Sequence, residues 1–411
     1  MKYFFYIFYV KKFLMIRNFQ ISKSWILVLF IKINFFLSAS HYTYAQKINI
    51  EAINNVNSYL DLLKGKNVGV VANNSSKFYN SFSEIHLIDS LLKLNISIKK
   101  IFAPEHGFRG NQDAGEKIDN SIDSKTSIPI ISLYGTNRKP TNKDLENIDL
   151  ILFDLQDVGV RFYTYLSTLH YVMESCAENN IDIVVLDRPN PNVNYVDGPV
   201  LENDSKSFVG LHPVPILYGL TIGEYAKMIN GEKWLDNKTQ AKLTVIKMKN
   251  YNRRIEYQLK SKPSPNLPNL KSINLYPSLC FFEQTPVSVG RGTEMQFQVI
   301  GSPDWNNQPF SFIPRPNFGA KNPKHNGIKC FGLDLRNVNK LSEINLEWII
   351  KAYNYSPDKE KFFKSGFHRL AGNKKLENQI KDGISAIKIK LSWKKDLETY
   401  KIIREKYILY N

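Results

Sequence analysis

Short β-branched runs, each emptying into a loop of ionisable side chains and followed by a helical pattern, constrain this chain more than any other feature. "NVGVVAN" (67–73) is the first, and "ISIKKIFAP" (96–104), "IDLILFD" (148–154) and "IDIVVLD" (181–187) repeat the plan. Between the first two, "EIHLIDSLLKLN" (84–95) spaces Ile85, Ile88, Leu91 and Leu92 along one helical face. After the third, "STLHYVMESCAENN" (167–180) predicts a helix opening on Ser167 as N-cap. Near-continuous apolar strands alternating with helices predict an α/β fold, a Rossmann-like parallel sheet with helices on both faces. Ligands of such sheets bind beyond the carboxyl ends of the strands. Asn73, Glu105 with His106, Asp154 with Gln156 and Asp157, and Asp187 with Arg188 and Asn190 occupy those exits. The sequence thus predicts one rim, and a cleft along it.

Further along, Thr221 and Glu224 form a capping box before an apolar face, which reads as structural. The text around 250–275, with "KSKPSPNLPNL", is rich in Lys, Pro and Asn and predicts a crossover. We expect an α/β domain over 46–255 and a smaller C-terminal α+β domain over 256–411. The glycine-rich loop "FFEQTPVSVGRGTEM" would close over the cleft, and "DLETYKIIREKYILY" predicts a terminal helix.

Composition excludes some functions. At 43% apolar and 23% charged residues, the chain can build a core and is far from a disordered composition. The net charge of +17 includes six Lys/Arg and no Asp/Glu in residues 1–45, which leaves 49 basic against 38 acidic side chains, a net +11. No basic run or nucleic-acid motif accompanies it, so a solvated basic surface is favoured and no nucleic-acid partner is expected. Residues 1–45 predict a signal peptide, with Met15 an alternative start and Thr43-Tyr44-Ala45 the exit. The mature chain would begin near Gln46 and be exported to the periplasm or secreted, with no cysteine for a lipid anchor and no stable membrane attachment. Cys176, Cys280 and Cys330 are too sparse for a disulfide framework or zinc site and read as core residues.

The chemistry concentrates in "APEHGFRG" (103–110), where a proline and two glycines brace a carboxylate, an imidazole and a guanidinium. Glu105 at a buried strand's end is suited to general acid catalysis. It is equally suited to pairing with Arg109 as a turn-capping carboxylate. His106 would orient Glu105, meet a ligand or simply satisfy the turn. In "FDLQDVGVRFYTY", Asp154 reads as a buried structural carboxylate, whereas Gln156, Asp157 and Arg161 are cleft candidates. Tyr163 and Tyr165 could stack on a sugar ring or fill the core. Asp187, Arg188 and Asn190 sit in a Pro-stiffened loop suited to hydroxyl or acetamido groups. Gly290 and Gly292 lack the third glycine of a dinucleotide fingerprint, and no P-loop, G-x-S-x-G or H-E-x-x-H occurs. A Mg²⁺ phosphatase built on Asp154 and Asp157 would lack a phosphate cradle. Acids, tyrosines and asparagines on one rim fit glycoside hydrolysis, which commonly needs two carboxyl groups about 5–9.5 Å apart.

Several long motifs in order carry a resemblance. "APEHGFRG", "DLQDVGVRFYTYLSTLHYVME", "VLDRPNPN", "YGLTIGEYAKMINGEKWL", "SVGRGTEMQFQVIGSPDW" and "REKYILY" are similar to those of the NamZ-type exo-β-N-acetylmuramidases, from about Ile50 to Tyr410. "ANNSSKF" and "RPNPNVN" depart from the family's usual turns. The resemblance implies a Rossmann-like domain, a smaller C-terminal domain and an active cleft between them. It implies release of N-acetylmuramic acid from the non-reducing end of peptidoglycan fragments, with Glu105 as catalytic acid. Asp157 leads as second carboxylate, ahead of Glu116, Asp154 and Glu294, and no metal or cofactor is required. The expected partners are muramic-acid saccharides, bound by Asn73, Arg109, Gln156, Arg161, Tyr163, Tyr165, Asp187, Arg188, Asn190 and Arg291. Muramic acid carries a lactyl carboxylate, and arginine's planar fork suits it, which marks Arg161, Arg188 and Arg291, with Arg188 or Arg291 first. The rival readings are a periplasmic glycan-binding protein and a metal-dependent phosphoryl or acyl hydrolase.

Overall fold

The computed structural model describes residues 51–79, 84–109, 120–257 and 259–411; the predicted signal segment and Glu116 lie outside the described residues. Residues Ile50–Asn411 form one compact unit. Its main sheet contains β1 (Asn67–Ala72), β4 (Ser97–Ala103), β5 (Ser121–Ile122), β6 (Pro129–Ser132), β7 (Leu150–Asp154), β8 (Asp182–Leu186) and β11 (Lys242–Ile246). They lie in the order β11-β8-β7-β1-β4-β6-β5, all parallel except β5, which runs antiparallel to β6. Ranked by chain position, the six parallel strands follow the order sixth, fifth, fourth, first, second, third. That is the doubly wound order.

Strand alternation explains why both faces are covered. Val68, Val70, Leu150, Leu152 and Val184 point to one side, where the helix Leu87–Lys93 packs with Leu87, Ile88 and Leu91. Val71, Ile151, Phe153, Ile183 and Val185 point to the other, against the helices Tyr165–Glu178 and Ile222–Gly231. Gly69 allows this closeness, because a Cβ there would lie 2.6 Å from Ile151 and 2.9 Å from Phe102.

Two helix starts differ from the periodicity. Residues 84–86 form a short strand, β3 (Glu84–His86), paired antiparallel with β2 (Lys77–Tyr79), and the helix begins at Leu87. His86 ends the extended segment because its ring accepts the Ile88 N–H and so caps the helix. The helix expected from Ser167 begins at Tyr165, so Ser167 is interior. The Thr221–Glu224 capping box is present, with Glu224 also paired to buried Arg253. A two-stranded ribbon joins β9 (Val196–Asp197) to β10 (Leu217–Tyr218).

The C-terminal part carries a small antiparallel sheet ordered β12 (Val299–Ser302), β14 (Cys330–Asp334), β13 (Phe310–Phe312), with helices that include Leu270–Leu279 and Lys394–Glu405. The terminal helix stops at Glu405, and the last residues return to the main sheet. There Leu409 N–H donates to Glu224 (2.7 Å) and Tyr410 hydroxyl to Asp187 (2.6 Å). The three cysteines are free and buried. Among the described residues no helix is long and apolar enough to cross a membrane.

Arg161, expected in the cleft, lies in the interior at 2% exposure. Its guanidinium donates to the carbonyls of Pro199 (2.7 Å), Val214 (2.8 Å), Leu370 (3.0 Å) and Ala371 (2.9 Å). Gly372, at φ 93°, makes room for it, since a Cβ would fall 2.4 Å from Arg161 Nη2. Arg161 is therefore a clamp between distant segments. Arg161→Met would leave these buried carbonyls unpaired and cost at least about 3 kcal/mol. Urea unfolding measures this; a loss under about 0.5 kcal/mol would mean that the clamp contributes nothing.

Candidate active site

β4 delivers the centre of the site. After Pro104 the chain reverses through His106 (φ 80°) and Gly107 (φ 76°), closed by the Gly107 N–H on the Pro104 carbonyl at 3.0 Å. Non-glycine residues seldom adopt this left-handed conformation, and such strain concentrates where a side chain must be aimed. His106 is buried, whereas Glu105 is half-buried. Thr164 Oγ1 donates to Glu105 Oε2 at 2.6 Å. The Tyr134 phenol also hydrogen-bonds Glu105, and burial together with that carboxylate pushes its pKa up. Arg109 does not take part in this arrangement: its fork closes on Asp123 at 3.0 and 2.8 Å, against the Phe108 ring.

The other predicted rim residues converge here but lie deeper. Asn73 donates to the Tyr165 hydroxyl (2.6 Å) and accepts from Ser75. Tyr163 and Tyr165 are buried, meet edge to face at 4.7 Å, and both donate to the Pro263 carbonyl. They are core aromatics rather than a sugar platform. Arg188 forms a two-point pair with Asp154 (2.6 and 2.8 Å) and lies 3.4 Å from Glu51. Although burial opposes its charge, those carboxylates raise its pKa. Gln156 donates to the Pro189 and Asp157 carbonyls, and Tyr257 donates to Gln156 and Glu51. Asp187 accepts from Thr221, Tyr410 and the Gly223 N–H, and burial lifts its pKa to about 6. Asn190 donates to the distant Leu220 carbonyl and accepts from the Asn192 N–H in its own loop.

Asp157 is also interior. Its Oδ2 accepts from the Tyr218 hydroxyl and the Gly159 N–H, and burial raises its pKa to about 6. Of its rivals, Asp154 belongs to Arg188 and Glu294 is exposed. Ser75, Ser76, Asp154 and Arg188 fill the crevice between β1 and β7, where this strand order ordinarily receives a ligand. The accessible chemistry is displaced to the exits of β4 and β6.

The C-terminal part faces it. Arg291 sits on a turn between Gly290 (φ 78°) and Gly292 (φ 80°), its Nε 3.3 Å from Glu283 and its guanidinium 5.5 Å from the Phe297 ring. Burial disfavours its charge, but Glu283, Tyr276 and Glu105 raise its pKa. Lys324 anchors the preceding segment, donating to the carbonyls of Phe282 (2.6 Å), Glu283 (3.2 Å), Thr285 (2.8 Å) and Val287 (3.3 Å). Burial lowers its pKa to about 8. Sequence reasoning missed Tyr134, Thr164, Glu283 and Lys324. Extending the strand-exit rule to β6 would have found Tyr134.

Fold and site together define a doubly wound α/β protein whose accessible carboxyl group is held by two hydroxyls and faced by an arginine, an arrangement suited to acid–base chemistry on a polar ligand. Residues 68–271 match the family described as exo-beta-N-acetylmuramidase NamZ, N-terminal, and residues 274–410 match its C-terminal counterpart. The chain is 37% identical over 373 residues to the peptidoglycan beta-N-acetylmuramidase NamZ of Bacillus subtilis (strain 168), covering 86% of this chain and 89% of that one. Two crystal structures of DUF1343 family proteins from Bacteroides fragilis also match. One has a TM-score of 0.81 at 43% identity, covering 88% of this chain and 99% of its own. The other has a TM-score of 0.73 at 30% identity, covering 88% and 98%. The chain belongs to the NamZ exo-β-N-acetylmuramidase family, a family of glycosidases.

The site's footing includes a buried histidine. His86 donates through Nε2 to the Asn73 carbonyl (3.0 Å), accepts the Ile88 N–H at Nδ1 (3.3 Å), and packs edge-on against Phe108 (4.8 Å). Burial lowers its pKa to about 4, with Arg109 acting the same way and Asp89 and Asp154 opposing. Because the folded value lies below the unfolded one, the unfolded chain takes up the proton first as pH falls. Stability should therefore drop by up to about 3 kcal/mol between pH 6.5 and pH 4. Buried His212 acts in the same direction. Urea midpoints across this window should fall less steeply in His86→Gln; parallel slopes would remove His86 as a cause.

Proposed function

We propose that this protein hydrolyses the β-glycosidic bond of a non-reducing terminal N-acetylmuramic acid in peptidoglycan fragments, with Glu105 as general acid. The observation that carries this reading is the seating of Glu105. It stands at a strand exit, half-buried, with Thr164 and Tyr134 hydroxyls directed at its carboxyl oxygens and Arg291 opposite. The activity of the Bacillus relative, a peptidoglycan beta-N-acetylmuramidase, supports the substrate class.

The geometry favours proton donation in the transition state. As Glu105 protonates the glycosidic oxygen, the C1–O bond breaks and the sugar acquires oxocarbenium character. Negative charge then develops on the carboxylate, where the Thr164 and Tyr134 hydroxyls already stand. Donors placed in advance where charge will appear stabilise it without reorganisation. Water supplies the hydroxyl that ends on C1, and the leaving sugar retains the transferred proton. Export agrees with a cell-wall substrate, and we assign residues 1–45 to that purpose on their signal-like pattern.

The decisive test compares leaving groups. A sugar alcohol needs protonation to depart, whereas nitrophenolate needs little. Glu105→Gln keeps an oxygen for Thr164 while removing the transferable proton. We expect kcat on a muramic-acid disaccharide to fall about 10²–10⁴-fold, and to fall distinctly less on the nitrophenyl glycoside. An equal loss on both, with the unfolding midpoint unchanged, would sink the general-acid role. Wild-type protein that leaves both substrates intact would sink the hydrolase reading itself.

A further inference from the structure

Muramic acid differs from glucosamine by a lactyl ether whose carboxylate is ionised at neutral pH, so selecting it calls for a fixed cation. The arginines near the strand exits sort by how their donors are occupied. Arg109 is closed on Asp123, Arg188 on Asp154, and Arg161 on four backbone carbonyls. Arg138 is exposed, tied to the Gly135 carbonyl at 3.1 Å and laid 4.5 Å over Phe208.

Arg291 differs from all of these. Its guanidinium makes no hydrogen bond to another described side chain or carbonyl; its buried Nε, like that of Arg161, has no hydrogen-bond partner, and Glu283 lies 3.3 Å away. The side chain is 26% exposed, so an incoming anion can reach it.

Its position is fixed from three sides. The Gly290–Thr293 turn is closed by Thr293 donating to the Gly290 carbonyl through both N–H (3.1 Å) and hydroxyl (2.7 Å). Arg315 N–H holds the Gly292 carbonyl at 2.8 Å, and a Cβ at Gly292 would lie 2.6 Å from the Arg315 oxygen. Lys324 secures the segment that carries Glu283. A ring chain then leads to the acid: Phe297 under Arg291 meets Tyr276 (4.9 Å), Tyr276 meets Tyr163 (6.4 Å), and Tyr163 adjoins Thr164, which holds Glu105.

We propose that Arg291 receives the lactyl carboxylate of the terminal N-acetylmuramic acid and so selects that sugar over N-acetylglucosamine. The proposal rests on the hydrolase reading above. Glu283 orients the guanidinium through its Nε side while the outer edge remains for the ligand. Lysine, a point charge without the fork, would replace only part of this.

Calorimetry with the two free sugars and turnover of a nitrophenyl muramic-acid glycoside test it on the whole protein. Wild type should bind N-acetylmuramic acid more tightly than N-acetylglucosamine. In Arg291→Ala that preference should shrink about 10- to 150-fold, mostly through KM in turnover, with Arg291→Lys intermediate and Arg138→Ala keeping the wild-type preference. An Arg291→Ala preference within threefold of wild type overturns the assignment, as does loss of preference in Arg138→Ala. If wild type selects muramic acid through Arg291 but never cleaves the glycoside, the anchor stands and the hydrolase reading falls. If wild type shows no preference between the sugars, the anchor falls whether or not the glycoside is cleaved.

Discussion

Everything above the sheet depends on the buried pair of Arg188 with Asp154. Asp154 ends β7 and Arg188 follows β8, so the pair ties two neighbouring strands at their carboxyl ends. Glu51 and the Ser75 carbonyl complete the guanidinium's surroundings, and Tyr257 caps Glu51 from the crossover segment. Removing such charges from water costs several kcal/mol per ion, and a well-packed apolar replacement often does as well for stability. What the pair supplies here is geometry. It fixes the relative height of the loops after β1, β7 and β8, and on those loops the Asn73–Tyr165 contact and the start of the Tyr165–Glu178 helix are built.

That knot also explains the displacement of the chemistry. A doubly wound sheet has a natural crevice where the strand order reverses, here between β1 and β7. Charged and hydroxyl side chains fill it and hydrogen-bond one another, so the usual ligand position is occupied by protein. Glu105 stands on the next strand outward, with Tyr134 one strand farther. The C-terminal loop that bears Arg291 then supplies the opposite wall. Acid and cation thus come from segments nearly two hundred residues apart.

Strand periodicity revealed the sheet because buried parallel strands leave an unmistakable apolar run, and it revealed Glu105 because strand exits are where such sheets do chemistry. It could not grade those exits by depth. Asp157, Gln156, Asp187 and Asn190 occupy loops of the same composition as Glu105, yet each is held by partners far away in sequence, such as Tyr218, Tyr257 and Tyr410. The helix starts at Tyr165, ahead of the Ser167 that the local pattern favours, for a related reason. Thr164 has the hydroxyl of an N-cap but makes no capping bond, because that hydroxyl is turned to Glu105. Local preference yielded to a contact 59 residues distant.

Arginine illustrates the limit most sharply. On sequence, Arg161, Arg188 and Arg291 all carry a planar fork, and the pattern puts Arg188 or Arg291 first without separating those two. The fold separates them by what already occupies each fork. Arg161 lies among carbonyls with no carboxylate beside it, so the four N–H donors at its Nη1 and Nη2 bind separate segments together. Arg188 meets two carboxylates and is thereby neutralised where it stands. Arg291 meets one carboxylate at a single corner, on a turn flanked by two glycines of positive φ, with its side chain 26% exposed. A cation left half-answered in this way is suited to an anion from outside, and the Glu105 carboxylate in the turn after β4, near enough to raise the Arg291 pKa, would set that anion's sugar beside an acid.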